Sequence, residues 1–363
     1  MTDADKYDPP RSLYDPPEEG PEDLWFLPPE DPAGLFDLPW QTDEGSPGIA
    51  PPHPEDWQAA EARHAVALAR AAAAFGALDE RLRRDGTGLL RRLARQEAAD
   101  LGWHLGDRVP ADRLNLYLML RLPGAGDDPQ ALARAAWAVR RLEARAQPQA
   151  RDLANLAGFL SREVQADPAA TDLVDRPLGG EFSALAAEWQ ADLSAPGGLH
   201  PITRAALGWG GWRRLGLSGE SAMIEGAVAA ARIGAVEGRG GLPFLPLGAG
   251  GGQALRAFGP PDRALPLWYA GVTEALQSCL MLCDRVADWL VRAGEGTADL
   301  SGRTPPLIIG FLAGWPLVSA PMLEKLTGAS RAAVQRNLIL FQQRGLVREL
   351  TGQDRFRFWA AAL

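Results

Sequence analysis

The sequence predicts a mainly α-helical protein: a multi-helix body closed at its C-terminus by a small unit with a β-hairpin. Three observations predict it. Ala, Leu, Glu and Arg fill long stretches in which apolar residues recur at helical spacing. No alternating strand pattern of useful length precedes residue 345. Behind two closely spaced helical segments near the C-terminus, the period shortens to that of a hairpin.

The chain begins with a segment of another kind. Residues 1–55 hold fourteen acidic residues against Lys6 and Arg11, a net of −12, and 13 of the 30 prolines. Proline removes backbone donors and fixes φ, and high charge leaves little apolar burial to offset ordering entropy. The segment reads as an acidic, Pro-rich, disordered arm. It carries two apolar clusters, Leu24–Leu27 and Leu35–Trp40. These fold back on the body, dock a protein partner, or compete for a basic surface.

The whole-chain net charge of −9 argues against nucleic acid only as an average, because residues 56–363 carry +3. Length and a 46% hydrophobic content suit two to three domains. No run of eighteen apolar residues exists, so no membrane span is expected. The acidic start MTDADKYDPP is wrong for a secretory signal, and Cys279 and Cys283 make no disulfide framework. A cytoplasmic, nucleoid-associated protein with neither metal nor cofactor is the expectation.

The body, 56–300, is read helix by helix. Trp57–Arg84 places Leu68, Phe75, Leu78 and Leu82 on one face and ends at Asp85–Gly88. Leu89–Leu105 and Ala111–Leu122 follow, separated by a loop ending in Pro110. Asp128–Pro129 opens a helix through Ala146, with proline in the tolerated first turn. Further stretches are Gln149–Val164, Phe182–Leu193, Pro201–Leu215, Ser221–Ile233 and Leu265–Ala293. A Gly/Pro-rich stretch spans 234–263.

Several tempting features have plainer readings. Gly248–Gly252 lacks both a preceding strand and a following Gly-Lys-Ser/Thr, so it reads as a flexible loop rather than a phosphate cradle. Cys279 and Cys283 share a helix face with no second ligand pair nearby and read as buried small apolar groups. His200, before Pro201, reads as a capping or surface residue. Asp284 and Asp288 read as a solvated face, and Trp137, Trp189, Trp209, Trp212, Trp268 and Trp289 as core. No Ser/His/Asp order with motif flanks is present, and an enzyme is not expected.

Residues 301–363 carry the strongest signal. Thr304 is placed as the cap of a helix holding Leu307, Ile308, Phe311 and Leu312, closed by Gly314. Trp315–Val318 is a short extended link. Ser319 caps a second helix with Pro321 in its first turn, and Thr327–Ala329 is a tight turn. Ser330 caps a third helix, Arg331–Arg344, whose buried stripe is Val334, Leu338 and Phe341, and Gly345 ends it. Leu346–Leu350 and Arg355–Trp359 form a hairpin in which Phe356 and Phe358 alternate with Arg355 and Arg357, giving one buried and one basic face.

This order is the layout of a winged helix-turn-helix, and its chemistry suits double-stranded DNA. The face opposite the buried stripe presents Ser330, Arg331, Ala332, Gln335 and Arg336. Arg and Gln can pair bidentately with guanine and adenine in the major groove. Arg355 and Arg357 on the wing suit phosphates or the minor groove. Residues 303–363 carry eight basic against three acidic residues. The plainer alternative is a winged helix used only for protein contacts. One such unit covers a short site, so a homodimer formed through the body is expected.

The segment Leu317–Trp359, LVSAPMLEKLTGASRAAVQRNLILFQQRGLVRELTGQDRFRFW, is similar to the C-terminal helix-turn-helix of a poorly characterised bacterial family with a helical domain before a DNA-binding one. The resemblance extends to Ala77–Arg84, Arg92–Arg121 and Ile202–Trp212. It implies sequence-specific DNA binding. The order of elements also resembles Fic-family proteins, which join a helical catalytic core to a C-terminal winged helix. Their signature His and Asn-bearing anion loop would fall at Trp212–Ser221, WRRLGLSGES, which has no His, no Asn and no closing Arg. That resemblance implies a catalytically dead relative, lacking the base and the phosphate clamp of nucleotidyl transfer, with a Fic-like nucleotidyl transferase as the less favoured alternative function.

Overall fold

The computed structural model describes residues 53–85, 88–120, 123–144, 155–161, 176–219, 222–352 and 357–363. All belong to one contact unit, Pro52–Leu363. The acidic arm lies outside the described residues apart from its last three, and so does most of the stretch expected as a helix over Gln149–Val164.

The first helical run breaks in two at His64, into α1 (Pro54–Arg63) and α2 (Ala65–Arg83). α3 (Leu89–His104), α4 (Ala111–Leu120) and α5 (Pro129–Glu143) follow, and Asp128 caps α5 by accepting from Gln130 N at 2.8 Å and Ala131 N at 3.2 Å. Next come the short α6 (Leu156–Phe159), α7 (Gly179–Ser194), α8 (Pro201–Leu215) and α9 (Ile224–Gly234).

The longest element is α10 (Pro261–Glu295), 35 residues and about 52 Å. It starts one turn earlier than Leu265, running through Pro266. A proline this close to the N-terminus removes only one intrahelical bond, so the helix continues. α2, α1, α8 and α11 (Thr304–Gly314) lean on α10, which is amphipathic along its whole length: Trp268, Tyr269, Val272, Leu276, Cys283, Val286 and Trp289 are all buried.

Five buried tryptophans account for their indole donors internally. Trp189 donates to Gly208 O (2.9 Å), Trp209 to Leu255 O (3.1 Å), Trp212 to Ser218 Oγ (3.0 Å), Trp268 to Ile202 O (2.8 Å) and Trp289 to Leu346 O (2.8 Å). Burying an indole without its partner costs free energy, so each bond fixes its ring and ties two segments together. Trp189 and Trp212 meet edge to face at 5.2 Å. α9 crosses Trp212 at Gly226, where a Cβ would lie 2.5 Å from the ring.

After α11 come β1 (Val318–Ser319), α12 (Ala320–Thr327), α13 (Arg331–Gln343), β2 (Val347–Glu349) and β3 (Phe358–Ala361). The sheet is antiparallel in the order β1-β3-β2, with Val318 opposite Trp359 and Glu349 opposite that same Trp359. The hydrophobic core is continuous from Trp57 and Leu93 to Leu338 and Trp359, so these C-terminal elements share it with the body.

Three local expectations are corrected. Thr304 is the first residue of α11 rather than its cap; Arg303 stands at the cap position and no side chain caps the helix. β3 is the central strand and all four of its residues are buried, so it has no basic face. Its strand begins at Phe358, and Arg355 and Phe356 lie outside the described residues. Gly248–Gly252 is no loose loop: it contains the 3-10 turn Ala249–Gly251, a second 3-10 turn, Gln253–Arg256, follows it, and Leu242–Ala249 before and within it is buried throughout.

Candidate nucleic-acid interface

α12, its turn and α13 are positioned by local chemistry that the sequence announces. Ser319 Oγ accepts from Met322 N at 3.4 Å, opening α12. Gly328 adopts φ +68° to close it, a conformation costly for a residue with a Cβ. Thr327 Oγ1 accepts from Ala329 N at 3.2 Å, and Ser330 Oγ accepts from Ala333 N at 3.3 Å to start α13. Val334, Leu338 and Phe341 are fully buried, which fixes the rotation of α13 about its axis.

That rotation leaves Ser330, Arg331, Ala332, Gln335 and Arg336 exposed on one face. The structure therefore brings four of the six sequence-derived site residues together, Ser330, Arg331, Gln335 and Arg336. Ser330 is already engaged as the cap. Arg331 lies 3.5 Å from Glu324 of α12, an exposed pair worth little in water. The same face continues to Ile339, which is 45% exposed.

The wing differs from expectation. Arg357 precedes β3, is half-buried, and stacks its guanidinium 5.4 Å from the Trp359 ring. Glu349 closes the hairpin turn by accepting from Thr351 N (2.8 Å), Gly352 N (3.0 Å) and the Thr351 hydroxyl. Burial pushes the Glu349 carboxyl up, but those donors and the nearby Arg357 charge outweigh it and hold it below its ordinary range. Arg344 is likewise committed, to Asp299 at 2.5 and 2.8 Å and to Gly296 O at 2.6 Å. Arg348, by contrast, is exposed on β2.

The remaining candidates resolve as structural groups. His200 caps α8, its Nδ1 accepting from Ile202 N at 3.1 Å; burial lowers its pKa, with Glu237 and Glu61 opposing. Cys279 and Cys283 are buried, and burial pushes Cys283 up to about 11 and Cys279 well above its ordinary value. Asp284 is exposed and pairs with Arg81 at 2.6 Å. No group of three metal-ligating side chains occurs among the described residues. Where an anion loop would fall, Gly216 ends α8 at φ +60° and Ser218 donates to Glu225 at 2.5 Å in a buried pair.

Sequence reasoning missed a set of buried charges. Asp79, Glu97 and Arg232 are each at most 3% exposed. Asp79 accepts from Arg239 N and Leu242 N at 2.6 Å, Glu97 from Leu247 N, Gly248 N and Ala249 N, and Arg232 donates to Ala144 O and Pro243 O. The signal for Glu97 was present: it occupies a position on the apolar stripe Leu90, Leu93, Ala94, Leu101.

No family model matches the chain, and no curated protein matches it. Among solved structures, a Fic family protein from Desulfovibrio desulfuricans G20 is similar at 12% sequence identity and a TM-score of 0.45, over 81% of this chain and 95% of that one.

Proposed function

We propose that the chain binds double-stranded DNA sequence-specifically and regulates transcription, reading bases with α13. One observation supports this most: Arg331, Gln335 and Arg336 are exposed together on the face opposite the buried stripe of a helix that follows a tight turn. The order α11-β1-α12-α13-β2-β3, with β3 central in a three-stranded antiparallel sheet, supports reading these elements as a winged helix-turn-helix. Arg348, exposed on β2, and Arg355 supply backbone contacts, and a homodimer pairs two half-sites.

The test is selection of bound sequences from a random duplex pool by the full chain, followed by anisotropy titrations at several salt concentrations. An enriched motif, with affinity falling as salt rises, supports the reading. No enrichment and no salt-dependent retention overturn it. The second reading, a winged helix for protein contacts, draws on Ile339 and Leu326, 45% and 41% exposed on α13 and α12.

A further inference from the structure

A cleft of about 400 Å³ opens where α2, the start of α8 and the end of α9 meet. That volume falls within the range of pockets that hold small ligands, about 300–1,000 Å³. Phe75, Pro201 and Gly234, all buried, and half-buried Ala72 give it an apolar wall. Gly76 also lines it, in the interior of α2, where glycine is less favourable than alanine. Close packing does not require that glycine: a Cβ there would meet nothing within 4 Å. The missing side chain leaves the cleft open.

The polar part of the lining is set by the turn after α9. Asp79 accepts from Arg239 N and Leu242 N, both at 2.6 Å, and Gly241 passes so close to the Asp79 carbonyl that no Cβ would fit between them. The turn is thereby fixed against α2, with Gly238 over the Phe75 ring, where a Cβ would lie 3.3 Å from it. Asp79 is spent on those amides, and Glu80 on Arg83 and Arg84. The side chains of Glu237 and Arg239 are exposed on the lining and have no ion-pair partner among the described residues, each other included. His200 adds a donor. Its Nδ1 accepts from Ile202 N, so the neutral ring carries its proton on Nε2, which has no hydrogen-bond partner among the described residues.

We infer that this cleft binds a free amino acid with an apolar side chain. Its carboxylate meets Arg239 and the His200 Nε2 proton, its ammonium meets Glu237, and its side chain lies against Phe75 and Pro201. A carboxylate and a guanidinium two residues apart on one fixed turn, yet not paired with each other, match a ligand that carries both charges close together. A ligand with a single charge would satisfy one of the two and leave the other without a counter-charge. The apolar wall gives the ligand side chain its burial, and Gly76 and Gly234 leave it room.

The test is a titration of the ¹⁵N-labelled full chain with L-leucine, L-valine, L-methionine and L-phenylalanine, followed at the Gly76, Gly238 and Arg239 amides. At least one should shift all three amides saturably. The N-acetyl and carboxamide forms of that amino acid, each lacking one charge, should bind about tenfold more weakly. Glu237→Gln should weaken the free amino acid about tenfold and leave the N-acetyl form, which has no ammonium, unchanged. Gly76→Leu should fill the cleft and abolish binding while raising the thermal midpoint, since leucine is the better helix former. That variant separates loss of binding from loss of fold. No saturable shift with any of the four, blocked forms that bind as well as the free one, or binding unchanged in Gly76→Leu each overturn the assignment.

Discussion

Arg92 of α3 donates from Nε to the Ala313 carbonyl at 2.8 Å, and its Nη2 reaches Leu312 O at 2.6 Å and Trp315 O at 3.0 Å. One buried guanidinium from the body thus closes the C-terminus of α11, whose last carbonyls have no intrahelical partner. Arg91 and Arg95 flank the Trp315 ring at 4.0 and 4.7 Å to its centroid. Burial lowers the Arg92 pKa to about 10, with Arg95 adding to the effect, so the bonds to carbonyls offset a real desolvation cost.

Arg92→Met should accordingly destabilise the protein by about 3 kcal/mol, since it leaves the buried Leu312 and Ala313 carbonyls and the part-buried Trp315 carbonyl without their donor. The loss should be local in character. Amide protection over Thr304–Ala361 should fall further than over Pro201–Leu215. Equal loss in both regions in a hydrogen-exchange comparison would show that Arg92 does not join them.

The DNA reading separates two kinds of contact. Arg331→Ala with Gln335→Ala should erase sequence preference while leaving salt-dependent binding, because base-edge contacts carry the discrimination, about 1–3 kcal/mol each. Arg348→Ala, on β2 rather than on the exposed face of α13, should weaken all duplexes alike and reduce the salt slope by about one. Anisotropy titrations of a selected duplex against a scrambled one read both. Preference retained in the double variant would remove α13 from the role of reader.

Much of the α12–α13 geometry was legible from sequence. Ser319, Gly328, Ser330 and Gly345 stand where caps and left-handed turns must be, and Val334, Leu338 and Phe341 set the helix rotation. The hairpin was not, because alternation over 355–358 cannot reveal that β3 begins only at Phe358, pairs with β1 as well as β2, and is buried at all four residues. The buried stretch Leu242–Ala249 was not, because its partners Asp79 and Glu97 are remote in sequence and its glycine also suits a solvated loop. Long-range hydrogen bonds to irregular backbone leave no period to read.

Gly226 shows how tightly α8 and α9 are fitted. Its Cβ position falls 2.5–2.8 Å from three atoms of the Trp212 indole, which is buried, hydrogen-bonded to Ser218, and edge-on to Trp189. Gly226→Ala would gain about 1 kcal/mol in helix propensity but force the indole aside, an overpacking cost of about 1–3 kcal/mol or more. The net effect should be a lower midpoint in urea with altered near-ultraviolet circular dichroism. A raised midpoint with an unchanged aromatic spectrum would mean that the α8–α9 contact yields freely.

Acid should release the hairpin through Glu349. Its carboxyl is held below the ordinary range, so it binds fewer protons in the folded chain than in the unfolded one. The stability it contributes is present above the unfolded pKa and is lost as pH falls through the lower, folded value. The donors lost on protonation are Thr351 N, the Thr351 hydroxyl and Gly352 N, which close the β2–β3 turn. Chemical shifts of Thr351 and Gly352 amides should therefore titrate together at acid pH, and Glu349→Gln should abolish that step while lowering turn protection at pH 7. The hairpin also carries Arg357, whose charge faces Glu349, so neutralising Glu349 frees that guanidinium from its carboxylate. Under the DNA reading, Glu349→Gln should then tighten non-specific duplex binding at low salt while leaving the motif selected by α13 unchanged. Weaker binding to every duplex would mean that the closed turn, rather than the charge on Arg357, is what the wing contributes.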